Sequence, residues 1–268
     1  ILTETSIIEL FFAGMIPGVM LALSDAFIIF SVSIFIKLPR KKFDIKEVGR
    51  TLLEAYPGIL MPFIVLGGLY GGLFTPTEAR AAACAYAMIY GLIAKRREFM
   101  KEIGPTTLRT LNLTAIVFFL LGSVGVFQFY LANMGWPQMI ADWVGTLGLS
   151  QTGFLFVLIG TLLALSMFLT GVAVLVLTVP IYFPVALSLG VDPVHLGIVT
   201  ALCIEIGGVI PPVGLNLFAV SGVTKVPLTT VIKGSFPYCL SDTVVLIIIT
   251  LFPSIALFMP NLMVVSKF

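Results

Sequence analysis

Residues 151–191 read QTGFLFVLIGTLLALSMFLTGVAVLVLTVPIYFPVALSLGV, and no Asp, Glu, Lys, Arg or His occurs between Asp142 and Asp192. A run of that length without charge cannot cover itself in water. Thr170-Gly171 at its centre is flanked by apolar arms of 18 residues, 152–169 and 172–189, and roughly 17–25 apolar residues cross a bilayer as a helix. Two readings follow. The arms are two full crossings, or they form a re-entrant hairpin whose tip at Thr170-Gly171 stops near the midplane. Both return the chain to the same side, so the charges of the flanking loops do not separate them. Pro180 and Pro184 lie in the second arm.

Downstream, Asp192-Pro193 marks a turn, and residues 194–225 make a second apolar segment. It is interrupted by Gly207-Gly208-Val209-Ile210-Pro211-Pro212-Val213-Gly214. Proline lacks an amide proton and clashes with the preceding turn, and glycine lowers the cost of leaving helix geometry. This octapeptide predicts an unwound stretch. Unwound backbone at membrane depth is tolerated only where protein or a cavity satisfies it.

Composition extends the reading to the whole chain. Hydrophobic residues make up 59% of the 268 residues, charged residues 10%, and the mean hydropathy is +1.14. Soluble domains carry roughly a quarter charged residues, so the composition predicts an all-α polytopic membrane protein. The net charge of +2 is small, and the basic residues fall in short loops, a topology signal and not a nucleic-acid footprint. Cys84, Cys203 and Cys239 are scattered through apolar stretches without metal-ligand spacing and read as buried inert thiols. With a single histidine, His195, and no HExxH or CxxC, a protein-held metal centre is not expected.

Lys37, Arg40, Lys41, Lys42, Lys46 and Arg50 form one basic loop, and Lys95, Arg96, Arg97, Lys101 and Arg109 a second. The positive-inside rule places both in the cytoplasm, so two crossings, 57–74 and 76–94, lie between them. Thr75-Pro76-Thr77-Glu78 at their junction is a capping-box pattern. Residues 7–36 enter from outside and 108–132 leave the cytoplasm again. Tyr130, Trp136 and Trp143 mark the outer interface, with a short interfacial helix at 137–148. Lys225 and Lys233 return to the cytoplasmic side, and 234–258 is the last crossing. The domains expected are 1–36, the last helix of a first repeat; 37–56, a cytoplasmic loop and interfacial helix; 57–150, scaffold helices of a second repeat; 151–225, the hairpin and broken helix; and 226–268, the final transmembrane helix.

A shift of 220 residues superposes Gly14 on Gly234 and Pro17 on Pro237. Similar segments of opposite orientation suggest inverted repeats, an architecture of secondary transporters. On that register the partner of the Pro211-Pro212 break lies before Ile1, so about 150 or more residues are expected upstream. Residues 1–6, with neither a basic n-region nor a cleavage site, read as mid-protein sequence.

Several stretches together resemble the large membrane subunit of tripartite ATP-independent periplasmic (TRAP) transporters, the DctM-like family, across nearly the whole chain. They are Gly67–Ala79 (GGLYGGLFTPTEA), Leu177–Ile181 (LTVPI), Asp192–Ile198 (DPVHLGI), Ile210–Phe218 (IPPVGLNLF) and residues 2–18. The resemblance implies a sodium symporter of the elevator type. It implies a bacterial or archaeal inner-membrane location, a periplasmic substrate-binding protein and a small membrane subunit as partners, and an organic acid such as a C4-dicarboxylate or sialic acid as substrate. It implies that 152–189 is a re-entrant hairpin and 194–225 a broken helix. Many relatives carry Asp at the hairpin tip where this chain has Thr170.

Sodium needs oxygen ligands, which unwound carbonyls and helix ends supply. Thr170, Gly171, Gly207, Gly208, Ile210, Pro211, Pro212 and Asn216 are the candidate ion- or substrate-binding residues. For Thr170 the plain alternative is a hairpin turn, and for Asn216 a cap on the restarted helix. Glu205, a carboxylate in an apolar run just before the break, is a further candidate; its alternative is a pairing with a neighbouring helix. Asp25 and Asp242 sit in corresponding crossings and read as pairing with scaffold groups. His195 reads as a helix-start residue. Competing classes are an ion-coupled transporter without a binding protein, a membrane-embedded enzyme and a non-transporting scaffold. The sequence has no clustered carboxylates, no His pair and no nucleophile with a base, which disfavours the enzyme.

Overall fold

The computed structural model describes residues 3–35, 44–146, 148–211 and 214–265, and every described element is an α-helix. In chain order these are α1 (Ile7–Ala13), α2 (Met15–Phe35), α3 (Ile45–Tyr70), α4 (Pro76–Ala94), α5 (Arg96–Asn133) and α6 (Trp136–Thr146). The series continues with α7 (Gln151–Ser166), α8 (Gly171–Ser188), α9 (Pro193–Gly207), α10 (Leu215–Thr224), α11 (Leu228–Leu251) and α12 (Pro253–Val265). Among the described residues, five stretches are long and apolar enough to cross a membrane: Ile7–Ile34, Ile45–Tyr70, Arg96–Asn133, Gly171–Ser188 and Leu228–Leu251. Large apolar side chains stand exposed along them, among them Phe27, Phe63, Phe119 and Phe129. Lipid is the solvent that suits such faces.

The chain divides into two compact units, Ile1–Ile36 with Val117–Phe268, and Lys37–Ile116. In the second unit α3 packs against α4. The crossing expected to begin at residue 57 is the later part of a helix that starts at Ile45 and runs through Pro57 and Pro62. Asp44 starts it by accepting the Lys46 amide at 2.9 Å. Tyr86 on α4 donates its hydroxyl hydrogen to the Pro57 carbonyl at 2.8 Å, tying the two helices together. Lys37, Arg40, Lys41 and Lys42 lie outside the described residues.

Helix α3 ends at Gly71, and Gly72 takes a positive φ of 69°. The capping box follows as expected. The Thr75 amide donates to Glu78 Oε2 at 2.8 Å, and the Glu78 amide donates to Thr75 Oγ1 at 3.3 Å. Although α4 has 19 residues, it is rich in alanine and carries Glu78 and Arg80 in its first turns. Its most apolar stretch is therefore less apolar than those of the five helices above.

The first unit holds the main core. Leu162, Val174, Val185, Val199, Cys203, Leu246 and Ile249 from α7, α8, α9 and α11 are fully buried. Burial of a side chain of this size is worth about 1.5–3 kcal/mol in water, and in lipid close packing replaces much of that driving force. The most extensive pairing is α7 on α9, and α11 packs on both α2 and α9. Asp192 caps α9 by accepting the amides of Val194 and His195 at 2.8 and 3.1 Å.

His195 does more than start that helix. It is 1% exposed and donates Nε2–H to the Ile249 carbonyl at 3.0 Å. That carbonyl would bond the amide four residues on, but residue 253 is proline and has none. The same Pro253 starts α12, so the stretch 234–258 expected as one helix is divided between α11 (Leu228–Leu251) and α12 (Pro253–Val265).

Candidate functional site

Helices α7, α8, α9 and α10 meet at one place. At 1.5 Å per residue, α7 is about 24 Å long, α8 about 27 Å, α9 about 22 Å and α10 about 15 Å, against about 30 Å of hydrocarbon. Helix α7 ends at Ser166, and α8 restarts at Gly171 with Thr170 as its N-cap in an extended conformation (φ −68°, ψ 150°). The Thr170 hydroxyl makes no capping bond and is exposed, so the residue turns the chain without spending its side chain on it.

The break behaves as its composition predicts. Helix α9 stops at Gly207, and tight turns follow: the Val209 amide donates to Ile206 O at 3.0 Å and the Ile210 amide to Gly207 O at 3.2 Å. The helix resumes at Leu215 behind Gly214, whose φ of 54° is left-handed. A Cβ there would also crowd Leu217 Cδ1 at 2.8 Å. Asn216 is thus not the cap of the restarted helix, because Gly214 occupies that position. The Asn216 amide instead donates to Gly208 O at 3.1 Å, across the break.

Turn and break are joined by main chain. The Gly214 amide donates to Met167 O at 3.3 Å. A Cβ on Gly207 would overlap Ser166 Cβ, and one on Gly171 would meet Ile204 Cγ2 at 2.5 Å. Two glycines therefore permit the approach of α7 to α9 and of α8 to α9. The Asn216 carboxamide lies beside Gly208, with Nδ2 3.1 Å from where a Cβ would stand. Ile210 and Pro211 are half-buried at the break. Pro212 lies outside the described residues. Glu205 is exposed on α9, two residues before the end of that helix, and has no hydrogen-bond or ion-pair partner among the described residues.

Ser166 is the residue that sequence reading missed. It is 1% exposed, and its Oγ has no hydrogen-bond partner among the described residues. Other hydroxyls in these apolar helices back-bond to the carbonyl four residues earlier: Thr161 to Val157 O at 2.9 Å, Thr178 to Val174 O at 2.7 Å and Thr250 to Leu246 O at 2.7 Å. Ser166 alone of these keeps its oxygen free, and it does so at the end of α7, against Gly207. A lone hydroxyl at the last position before a predicted turn is the signal that could have found it.

The donors at the junction are a hydroxyl, a carboxamide and main-chain carbonyls. No group of three or more His, Cys, Asp or Glu suited to a metal ion occurs among the described residues. Neutral oxygens of this kind suit a hard cation of low charge and not a transition metal. One thiol reaches the junction: Cys239 on α11 points its Sγ at Val209 O, 3.6 Å away.

These features define an all-α polytopic membrane protein built around a helical hairpin packed against an interrupted helix. The chain belongs to the family described as the tripartite ATP-independent periplasmic transporter, DctM component, whose model matches residues 1–255. It is 39% identical over 260 residues to the C4-dicarboxylate TRAP transporter large permease protein DctM of Pseudomonas aeruginosa, covering 97% of this chain and 61% of that protein. It is 34% identical over 267 residues to the sialic acid TRAP transporter large permease protein SiaM of Vibrio cholerae, covering 98% and 62%. The ectoine/5-hydroxyectoine TRAP transporter large permease protein UehC of Ruegeria pomeroyi is 33% identical over 268 residues, covering 98% and 61%. The chain thus spans about three fifths of the length of the relatives it matches. The family and the apolar helices make it a multi-pass protein of the bacterial inner membrane.

Proposed function

We propose that this chain forms part of a sodium-coupled secondary transporter that takes up an organic acid handed over by a periplasmic binding protein and works with a small membrane subunit. The relatives are named for C4-dicarboxylate, sialic acid and ectoine transport, which supports a small carboxylate-bearing solute as the substrate class. The coupling ion sits at the junction of the α7–α8 turn and the α9–α10 break. Ser166 Oγ, the Asn216 carboxamide and main-chain carbonyls around Gly207, Gly208 and Ile210 are its ligands, with Thr170 and Gly171 on the turn and Pro211 at the break.

The observation that carries this reading is the buried, unpartnered Ser166 hydroxyl beside the main-chain bond from Gly214 to Met167. A buried polar group left unpaired costs about 1–3 kcal/mol, and a bound cation would satisfy it. Because the ligands come from two elements, binding fixes the turn against the break. The short arms α7, α9 and α10 support a re-entrant hairpin and a broken helix meeting inside the membrane, the geometry that lets the site move as one body. The test is uptake of a C4-dicarboxylate by vesicles holding the complete transporter with its binding protein, with external sodium replaced by potassium. Uptake should collapse in potassium; undiminished uptake removes sodium from the reading.

A further inference from the structure

The two compact units differ in charge. Residues 37–116 carry twelve Lys and Arg against six Asp and Glu, whereas the rest of the chain carries three against seven. Part of that basic surplus is gathered where α4 turns into α5, at Lys95, Arg96, Arg97 and Lys101. The corner is tight. The Lys95 amide closes α4 by donating to Gly91 O at 3.0 Å, and the Phe99 amide opens α5 by donating to Lys95 O at 3.1 Å. Phe99 lies over Gly91, where a Cβ would stand 2.4 Å from Phe99 Cδ2. The missing side chain at Gly91 lets the ring close down on α4.

This corner holds a pocket of about 620 Å³ lined by Leu92, Ile93, Arg96, Arg97 and Met100, wholly within the Lys37–Ile116 unit. At 3.6 residues per turn, Arg96, Arg97, Met100 and Lys101 fall within about 140° of the α5 surface, and Glu98 and Glu102 fall outside that arc. The side chains of Arg96 and Arg97 make no hydrogen bond or ion pair among the described residues. The apolar members stand uncovered. Leu92, Ile93 and Met100 are exposed, and one turn earlier on α4 the exposed Met88 and Ile89 continue the apolar track. Two free guanidinium groups thus sit at the head of an uncovered apolar strip.

We propose that the α4–α5 corner binds an anionic phospholipid, its phosphate held between Arg96 and Arg97 and an acyl chain laid along α4 over Ile93, Leu92 and Ile89. The planar guanidinium fork matches phosphate oxygens in pairs. A free phosphate would use the arginines alone and leave the apolar strip uncovered. A zwitterionic lipid would bring a cation into a surface already in basic surplus. The positive-inside rule puts this corner on the cytoplasmic side, where basic pockets beside transmembrane helices take anionic headgroups. The site owes nothing to the sodium reading and stands or falls separately from it.

The experiment takes the complete transporter, purified in neutral detergent and stripped of lipid. It follows the thermal midpoint as phosphatidylglycerol, phosphatidylcholine with the same chains, or inorganic phosphate is added. Phosphatidylglycerol should raise the midpoint by several degrees, as a ligand bound only by the native state does; the other two should not. The double variant Arg96→Gln, Arg97→Gln should lose most of that rise. Arg80→Gln with Arg109→Gln removes the same charge from other exposed positions and should keep it. No rise with phosphatidylglycerol, an equal rise with phosphatidylcholine, a rise with phosphate alone, or an equal response in the two double variants overturns the site. Native mass spectrometry gives a second readout: wild type should retain phosphatidylglycerol that the Arg96→Gln, Arg97→Gln variant releases. Equal retention in both overturns the proposal. So does a wild type that retains none while the variant sheds the small membrane subunit, which would make the corner a protein interface.

Discussion

Replacing Gly207 by alanine tests whether the α7–α9 contact is set by the absence of one methyl group. Gly207 is buried, and its added Cβ would overlap Ser166 Cβ while standing 3.3 Å from Leu163 O. Neither is the loose end of a long side chain, so the overlap is not relieved by a rotamer change. The helices must part by roughly 1 Å to restore ordinary carbon contacts near 3.5–4.0 Å. Overpacking of this kind costs about 1–3 kcal/mol. Alanine recovers at most ~1 kcal/mol of backbone entropy over glycine, and less at the last residue of a helix. The net loss is about 1–2 kcal/mol, a fall of roughly 2–8 °C in thermal midpoint.

Gly160 on α7 supplies the control, since an added Cβ there meets nothing within 4 Å; Gly160→Ala should be neutral or slightly stabilising. Pairing Gly207→Ala with Ser166→Gly removes the overlapping atom and should recover about 1 kcal/mol beyond additivity. The assay is a thermal scan of the detergent-purified protein. A Gly207→Ala midpoint as high as that of Gly160→Ala would refute the packing argument.

Substitutions at two further positions separate structure from ion binding. His195→Ala removes the donor to Ile249 O and leaves a cavity in the core, and should lower stability by about 2–4 kcal/mol in chemical or thermal unfolding; His195→Gln should recover part of the loss. Asn216→Ala leaves the amide bond to Gly208 O in place and removes no cap, so stability in potassium should stay within about 0.5 kcal/mol of wild type while the sodium half-saturation of uptake rises several-fold.

Much of this arrangement was legible because it is written in local chemistry. Thr75-Pro76-Thr77-Glu78 and Asp192-Pro193 announced helix starts through capping groups, and the structure shows both. The Gly/Pro-rich octapeptide announced the end of α9, because glycine and proline act within one turn. The resemblance to the DctM-like family and the all-helical membrane fold are borne out by the family match and the five apolar helices. What stayed hidden depends on long-range contact. Nothing local shows that the carbonyl orphaned by Pro253 is filled by His195, 54 residues earlier in sequence. Ser166 looked like any small residue until its neighbours failed to supply a partner. The crossing was expected over 57–74, yet its helix already begins at Ile45 and runs through Pro57. The 220-residue register from glycine and proline matches differs by three residues, nearly one turn, from the 217-residue separation of Ser24 and Ser241, whose hydroxyls are hydrogen-bonded to each other between α2 and α11.

The central claim is that Ser166 and the break hold a cation together. It is tested most directly by the thermal midpoint of the complete protein in sodium against equimolar potassium, for wild type and Ser166→Ala. A ligand bound only by the native state adds about 2.7 kcal/mol at ~100 times its Kd, so sodium should raise the wild-type midpoint by several degrees. Ser166→Ala should lose most of that increment while matching or exceeding wild type in potassium, where the unpaired hydroxyl is only a cost. A sodium increment of the same size in Ser166→Ala, or none in wild type, would contradict the account.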